Sequence, residues 1–237
     1  MNKSQALRAI QQIPLVRRAV VSLSESGVLG SAKEGRLGVD TLGHREYVGG
    51  NWEQVGEHQL AFMKRRGLQP QHVLADVACG ALRGGAKFIA YLDPGNYLGI
   101  EKEAALVKRG IDVELPSELH EEKSPEIVVS PSFEFHLFSK APDYSLAHSL
   151  FSHLNLDEIA LCLQNLRAIV SPGSEFYASF FRSKSESPNY QTSHAHRSFL
   201  YTTQQMSGMG VETGWAADFL GGWGHDGGQV MMRYVAH

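Results

Sequence analysis

Residues 72–85 of the chain have the sequence HVLADVACGALRGG. The apolar run at residues 72–77 is typical of a short buried strand, and helical periodicity resumes at residues 86–92. Between them lie small residues and glycines, which let a strand turn sharply into a helix and let a ligand approach the backbone there. The stretch therefore predicts a strand, a ligand-binding turn and a helix in succession.

Strands and helices alternate on both sides of this stretch. Strands are predicted at residues 97–100, 127–129, 144–147 and 175–181, with a closing pair at 211–215 and 229–235. Helices are predicted at residues 52–66, 103–109 and 156–170, the second of them capped at its C-terminus by Gly110. Such alternation predicts an α/β fold in which helices cover both faces of a largely parallel sheet.

The composition is that of an ordinary globular protein of 237 residues, 43% of them hydrophobic. Twenty-two Lys and Arg against 25 Asp and Glu give a formal charge of −3. This balance is unsuited to attracting a polyanion, so nucleic acid is not an expected partner. No apolar run approaches the roughly 20 residues that cross a bilayer, so no membrane partner is expected either.

The cysteines and the first residues bear on the compartment. Cys79 and Cys162 are too few for a disulfide framework or a four-cysteine zinc site, and both lie in apolar surroundings, which favours a reducing, cytoplasmic location. The first 24 residues carry basic but no acidic side chains, as organelle-targeting peptides do. We favour instead two short helices that pack on the domain and are separated at Pro14.

The glycines of the turn differ from the common nucleotide-binding motifs. A dinucleotide site would require G-x-G-x-x-G, but Gly80 is followed only by Gly84 and Gly85, and the chain has no G-x-x-x-x-G-K-[ST] phosphate loop. Glu101 ends the second predicted strand, about 20 residues after the first, where a carboxylate can accept hydrogen bonds from both hydroxyls of a ribose. The pattern predicts a nucleoside-bearing ligand other than NAD, FAD or ATP.

At these residues the chain resembles the class I S-adenosylmethionine-dependent methyltransferases, in particular bacterial enzymes that act on small molecules. The resemblance extends from Tyr47 to the C-terminus. It is carried by DVACG at 76–80, YLGIE at 97–101, DYSLAHSLFSHL at 143–154 and SPG at 171–173. It implies a Rossmann-like seven-stranded sheet with an antiparallel last strand and an N-terminal helical extension. Residues 1–50 would form that extension and a lid, and residues 51–237 the methyltransferase domain.

The resemblance also implies where S-adenosylmethionine would bind. The turn at residues 78–80 would line its methionine end, Glu101 its ribose and Ser130 its adenine. The cofactor-binding residues implied are Asp76, Ala78, Cys79, Gly80, Arg83, Glu101, Ser130 and Ala147. The family usually has glycine where this chain has Ala78 and Leu82. Arg83 would then pair either with the methionine carboxylate or in a surface ion pair.

Histidines are the candidate catalytic residues, since a hydroxyl acceptor benefits from a base that titrates near neutral pH. His148 follows the fourth strand and is predicted to be the general base, and His225, between the last two strands, to orient the acceptor; structural roles are the alternative. The predicted substrate-binding residues are Tyr47, Trp52, His153 and Trp223. Residues 47–56 are expected to close over the ligand. His194, His196, His225 and Asp226 are a weak alternative metal site, because only the H-x-H pair has a fixed spacing, and no metal is expected.

The sequence thus predicts an enzyme that moves a methyl group to a hydroxyl or amine of a small molecule, such as a secondary metabolite. The residues after strand four, HSLF at 148–151, lack the Asp/Asn-Pro-Pro-aromatic element typical of nucleic-acid amino methylation. A protein or peptide methyltransferase and a non-catalytic S-adenosylmethionine-fold binding protein are the alternatives. The acceptor and the oligomeric state are left open.

Overall fold

The computed structural model describes residues 34–224 and 227–237. Its strands are β1 Leu74–Val77, β2 Tyr97–Glu101, β3 Glu126–Val129, β4 Tyr144–Ala147, β5 Glu175–Arg182, β6 Leu200–Tyr201, β7 Trp215–Gly222 and β8 Val230–Ala236. Seven of them follow the order β3-β2-β1-β4-β5-β8-β7, and the two-residue β6 pairs with β5. Strands β1 to β5 are parallel to one another, whereas β8 runs antiparallel to both β5 and β7. The seven-stranded order and the antiparallel last strand confirm the predicted fold.

Helices cover both faces of this sheet. They are α1 Gly35–Leu42, α2 His44–Tyr47, α3 Trp52–Arg65, α4 Gly85–Tyr91, α5 Ala104–Arg109, α6 Ser117–Lys123, α7 Leu156–Arg167 and α8 Thr203–Glu212. One buried cluster contains Leu163 of α7 and Met206 of α8, and the other contains Phe62 of α3 and Phe88 of α4. All four residues of β1 are buried, as expected for a central parallel strand covered on both faces.

The predicted strand at residues 211–215 is wrong. Val211 lies in the last turn of α8 and is 67% exposed, and β7 begins only at Trp215. The helix starts in a capping box, in which the Thr202 hydroxyl accepts from the Gln205 backbone and the Gln205 side chain accepts from the Thr202 backbone. Thr202 and Gln205, three positions apart, are the local signal for this helix start.

Gly110 occupies the C-cap position of α5, as predicted, but not in the left-handed conformation usual for a capping glycine. Its φ is −59°, and the chain continues from α5 into a π-helical turn, Gly110–Glu114. Its glycine is explained by packing instead, because a Cβ at this position would lie 2.8 Å from Leu82 Cγ and 2.9 Å from the carbonyl carbon of Ala81. The turn after β1 therefore sits directly against this backbone.

Some predictions concern residues that are not described. The two short helices or targeting segment within residues 1–24 lie outside the described residues, as do His225 and Asp226. Within the described ranges, no helix is both long enough and apolar enough to span a bilayer.

Candidate active site

A cavity of about 430 Å³ lies at the carboxyl ends of β1, β2 and β4. This volume is within the range of small-molecule pockets, and this end of an open α/β sheet is where such folds bind ligands. Of the implied cofactor residues, its walls include Asp76, Ala78, Cys79, Gly80, Arg83, Glu101 and Ser130. Ala147 is fully buried in β4, and the next residue, His148, reaches the cavity instead.

The turn after β1 has an unusual backbone. Ala78, Gly80 and Leu82 have φ angles of +60°, +58° and +65°, the left-handed region that favours glycine. The two positions at which the chain departs from the family's usual glycine thus have the conformation that glycine adopts most easily. Their side chains are held in this conformation at a cost in free energy, because left-handed backbone is disfavoured for residues that carry a Cβ.

Replacing Ala78 with glycine is expected to stabilise the fold by about 0.5–1 kcal/mol. The gain is the relief of about 1–2 kcal/mol of left-handed strain, offset in part by the greater freedom of glycine in the unfolded chain. Urea unfolding of Ala78→Gly measures it. Ala86→Gly in α4 is the control and should lose about 1 kcal/mol, since its backbone is helical. Equal losses in both variants would contradict the strained turn.

Glu101, at the end of β2, is held rigidly in the cavity wall. Its Oε2 accepts a hydrogen bond from the Gly80 backbone N–H and its Oε1 accepts one from the Glu103 N–H, each at 2.9 Å. Burial raises the pKa of this carboxyl, and the hydrogen bonds from the backbone oppose the rise. Each oxygen retains further acceptor capacity, so the carboxylate is preorganised to accept from a diol.

Asp76 lies beneath the turn with Tyr97. The Tyr97 hydroxyl donates to Asp76 Oδ2 at 2.8 Å. Burial raises the pKa of Asp76 to about 7, with a further contribution from the nearby Glu101 carboxylate. Asp76 therefore changes its charge within the cavity wall near neutral pH.

Arg83 ties the segment before α3 to the turn after β1. Its Nη1 donates to the backbone carbonyls of Val48 and Gly50, both at 2.9 Å. Burial lowers the pKa of Arg83 to about 10, and the Asp76 carboxylate opposes this shift. At least this nitrogen is engaged by the protein itself, so Arg83 fixes the position of residues 48–50 over the cavity. The sequence predicted that Arg83 pairs either with the methionine carboxylate of the cofactor or in a surface ion pair. Neither prediction includes these hydrogen bonds to backbone carbonyls.

The surroundings of His148 disfavour its predicted role as a base. Its Nδ1 lies 2.6 Å from the Gln59 side-chain nitrogen and 3.4 Å from Arg83 Nη2, and both of these groups are donors. A neutral ring that accepts at Nδ1 carries its proton on Nε2. Protonation would also place an imidazolium beside a guanidinium. His148 is thus suited to donate a hydrogen bond from Nε2.

His153 has the opposite tautomer. Its Nδ1 lies 2.8 Å from the Arg197 carbonyl, which only accepts hydrogen bonds, so Nδ1 carries the proton and Nε2 the lone pair. The ring lines the cavity. Burial lowers the pKa of His153, and the nearby His196, Lys102 and His194 lower it further.

Two distant segments meet across the cavity mouth. The ring of Tyr47, at the end of α2, contacts the His196 ring edge to face, with 4.9 Å between centroids. Glu34 Oε1 accepts from the Ala195 backbone N–H at 2.6 Å and lies 3.2 Å from His194 Nδ1. The loop between β5 and β6, residues 183–199, therefore forms a cover together with the α1–α2 region.

Two of the predicted substrate-binding residues are not part of the cavity wall. Trp52 packs beneath the Arg45 guanidinium, 5.0 Å from the ring centroid, and that guanidinium pairs with Glu114. Trp223 lies behind His148, with 5.2 Å between ring centroids, and also contacts Phe62. Trp223 thus supports His148 from outside the cavity, whereas Tyr47 and His153 do line it.

Several wall residues were not predicted as cofactor or substrate contacts. They include Gln59, Lys102, Glu103, Phe133, Leu150, Glu158 and the histidines of the β5–β6 loop. The sequence places His194 and His196 in the half of the chain that would surround the acceptor and offers them as weak metal ligands. Within the described ranges no group of three or more His, Cys, Asp or Glu could hold a metal ion. Gln59 had no sequence signal, because a buried glutamine on an amphipathic helix is recognised only through its partner.

Comparison with known proteins identifies the fold. No family model and no curated protein matches the sequence. Among solved structures, magnesium protoporphyrin IX methyltransferase (ChlM) from Synechocystis PCC 6803, with bound SAM, is 12% identical, with a TM-score of 0.57 over 100% of this chain and 98% of that one. The glycopeptide N-methyltransferase MtfA is 16% identical, with a TM-score of 0.60 over 77% and 90%. The amino pentose methyltransferase CalS10 from Micromonospora echinaspora is 14% identical, with a TM-score of 0.58 over 81% and 94%. The chain has the class I S-adenosylmethionine-dependent methyltransferase fold.

Proposed function

We propose that the chain is an enzyme that transfers a methyl group from S-adenosylmethionine to a hydroxyl or amino group of a small molecule. One observation carries the proposal. A single cavity joins the glycine-rich turn after β1, the rigid carboxylate of Glu101 and two histidines whose tautomers are set by their neighbours. The solved structure of similar fold with bound SAM supports the same cofactor.

The wall residues suit this cofactor chemically. Glu101 would accept from the ribose hydroxyls, and the backbone of the turn at residues 78–80 would lie along the methionine portion. Four carboxyl groups line the cavity, those of Asp76, Glu101, Glu103 and Glu158, against the cations Arg83 and Lys102. This charge distribution complements the positive sulfonium, whose methyl group is the one transferred.

Much of the catalysis would be positioning. Methyl transfer by direct displacement needs the acceptor lone pair in line with the carbon–sulfur bond, and holding two reactants in that geometry removes much of the entropic barrier. The cover formed by Tyr47, His196 and the segment held by Arg83 would exclude water and orient the acceptor. His148 would hydrogen-bond to it from Nε2.

A small acceptor is favoured over a protein. The cavity lies under two converging segments, so an extended polypeptide would have to displace the contacts of Glu34 with the β5–β6 loop. The similar solved structures are methyltransferases of magnesium protoporphyrin IX, of a glycopeptide and of an amino pentose. A sugar, a macrocycle or a small peptide conjugate is therefore the acceptor class that we infer.

Calorimetric titration with S-adenosylmethionine and S-adenosylhomocysteine tests the function. Glu101→Ala is expected to bind both about tenfold to a hundredfold more weakly, because ribose hydroxyls lose a charged acceptor and each tenfold is about 1.4 kcal/mol. Glu118→Ala, an exposed carboxylate on α6, is the matched control and should bind normally. Unchanged affinity of Glu101→Ala would remove the ribose assignment, and no binding by the unaltered protein would refute the function.

A further inference from the structure

We propose that His153, and not His148, is the catalytic base that accepts the proton of the methyl acceptor. The inference rests on the proposed function and names the residue that would deprotonate the acceptor at the same site. A base must present a lone pair to its substrate, and the hydrogen bonds of each imidazole decide which nitrogen carries that lone pair.

The lone pair of His153 is fixed by the β5–β6 loop. The Arg197 carbonyl holds the proton on Nδ1, and the backbone N–H of His194 donates to the carbonyl of His153 at 3.0 Å. These two bonds anchor the loop to the ring and to the backbone of His153. This is the arrangement of an activated base, in which a third group orients the imidazole and leaves its other nitrogen basic.

His148 has no such arrangement. Its Nδ1 receives hydrogen bonds from Gln59 and Arg83, so the neutral ring has no second lone pair to offer at Nε2. The position of His148 after β4 favours it as the base. The hydrogen-bond donors at its Nδ1 favour His153 for that role instead.

The charges around His153 are consistent with a base that is neutral at physiological pH. Burial lowers its pKa most, and His196, Lys102 after β2 and His194 lower it further, while the hydrogen bond to the Arg197 carbonyl opposes the shift. Glu103 and Glu158 line the same cavity and would stabilise the imidazolium when it forms. His153 is therefore ready to accept a proton at neutral pH. The methyl-transfer activity of the protein should rise with pH through a midpoint below the ordinary histidine pKa of about 6.5.

The step balances without a further reactant. A lone pair on the acceptor oxygen or nitrogen forms the new bond to the methyl carbon as the carbon–sulfur bond breaks and its electron pair stays on sulfur. The proton of the acceptor passes to His153 Nε2. The imidazolium then releases this proton to water.

The tautomers are directly measurable. Long-range ¹H–¹⁵N spectra of the labelled protein at pH 8, with and without S-adenosylhomocysteine, distinguish an Nδ1–H from an Nε2–H imidazole. His153→Asn and His148→Gln serve to assign the two rings. We expect the Nδ1–H form for His153 and the Nε2–H form for His148. An Nε2–H form for His153 in the presence of S-adenosylhomocysteine would overturn the inference.

A second comparison separates chemistry from structure. His153→Asn keeps a side-chain N–H that can donate to the Arg197 carbonyl but has no basic nitrogen. With labelled S-adenosylmethionine and an acceptor from a metabolite extract, its turnover should fall about a hundredfold or more, with S-adenosylhomocysteine affinity within twofold of normal. Near-normal turnover of His153→Asn would make His153 merely structural. If the unaltered protein fails to bind S-adenosylhomocysteine, the proposed function fails with it, whereas binding with the wrong tautomer refutes His153 alone.

Discussion

Replacing Gly56 with alanine is expected to destabilise the fold by about 3 kcal/mol. Gly56 is buried in α3, and a Cβ at this position would overlap the backbone carbonyl oxygen of Arg83. Overpacking usually costs about 1–3 kcal/mol, and the upper end applies because a backbone atom cannot move aside as a flexible side chain can. Urea unfolding monitored by far-UV circular dichroism measures the change.

Gly208 in α8 is the matched control. No atom lies within 4 Å of a Cβ built on it. Gly208→Ala is therefore expected to stabilise the protein by about 0.5–1 kcal/mol, the difference in helix propensity. Opposite signs for one substitution in two helices would establish the close approach of α3 to the turn after β1. A Gly56→Ala variant of normal stability would mean that α3 is not seated there.

Asp76→Asn is expected to change how stability depends on pH. The pKa of Asp76 is raised from 3.8 to about 7 in the folded protein, mainly by burial. The folded state therefore holds this proton more tightly than the unfolded state. This tighter proton binding contributes up to a few kcal/mol to the free energy of unfolding. The contribution is complete below pH 4 and is lost as the pH rises through 7. Asparagine stays neutral and can still accept from Tyr97 through its carbonyl.

The test compares urea unfolding at pH 5 and pH 8. At each pH the free energy of unfolding of the unaltered protein is subtracted from that of Asp76→Asn. This difference should be larger at pH 8 than at pH 5 by a few kcal/mol. Asp112→Asn, a half-exposed carboxylate that pairs with Lys108, is the control for the loss of one charge. If the curves of the unaltered protein and Asp76→Asn run parallel, then Asp76 is already ionised across this range.

The central strands could be predicted because their signals are local. Residues 74–77 and 97–101 are apolar runs bounded by turn residues, and the carboxylate at 101 follows from its place at a strand end. Long-range contacts gave no such signal. Gln59 and His148 are 89 positions apart, as are many residues that meet only in the folded chain. The tautomer of His148 depends on that contact, so strand order alone does not reveal it.

The contacts of the cover and of Arg83 also join residues that are far apart in the sequence. Glu34 meets Ala195 across 161 positions, and the Arg83 side chain bonds to carbonyls more than 30 positions before it. No periodicity or motif encodes such pairs. Val211 is a different case, because its signal is local. The short segment at residues 211–215 resembles a strand, but Thr202 and Gln205 mark the start of a helix that includes Val211.

The position of β8 also bears on how the protein is synthesised. β8 is inserted between β5 and β7, so β7 has no neighbour in the sheet until residues 230–236 have left the ribosome. Met231, Met232 and Tyr234, all completely buried, arrive only with that strand. Between the synthesis of β5 and that of β8, the nascent chain therefore carries an open β5 edge and an unfilled core, the kind of surface that promotes aggregation. Ribosome-stalled chains that lack β8 should accordingly depend on chaperones, and insertion of this one strand should join β7 to the rest of the sheet.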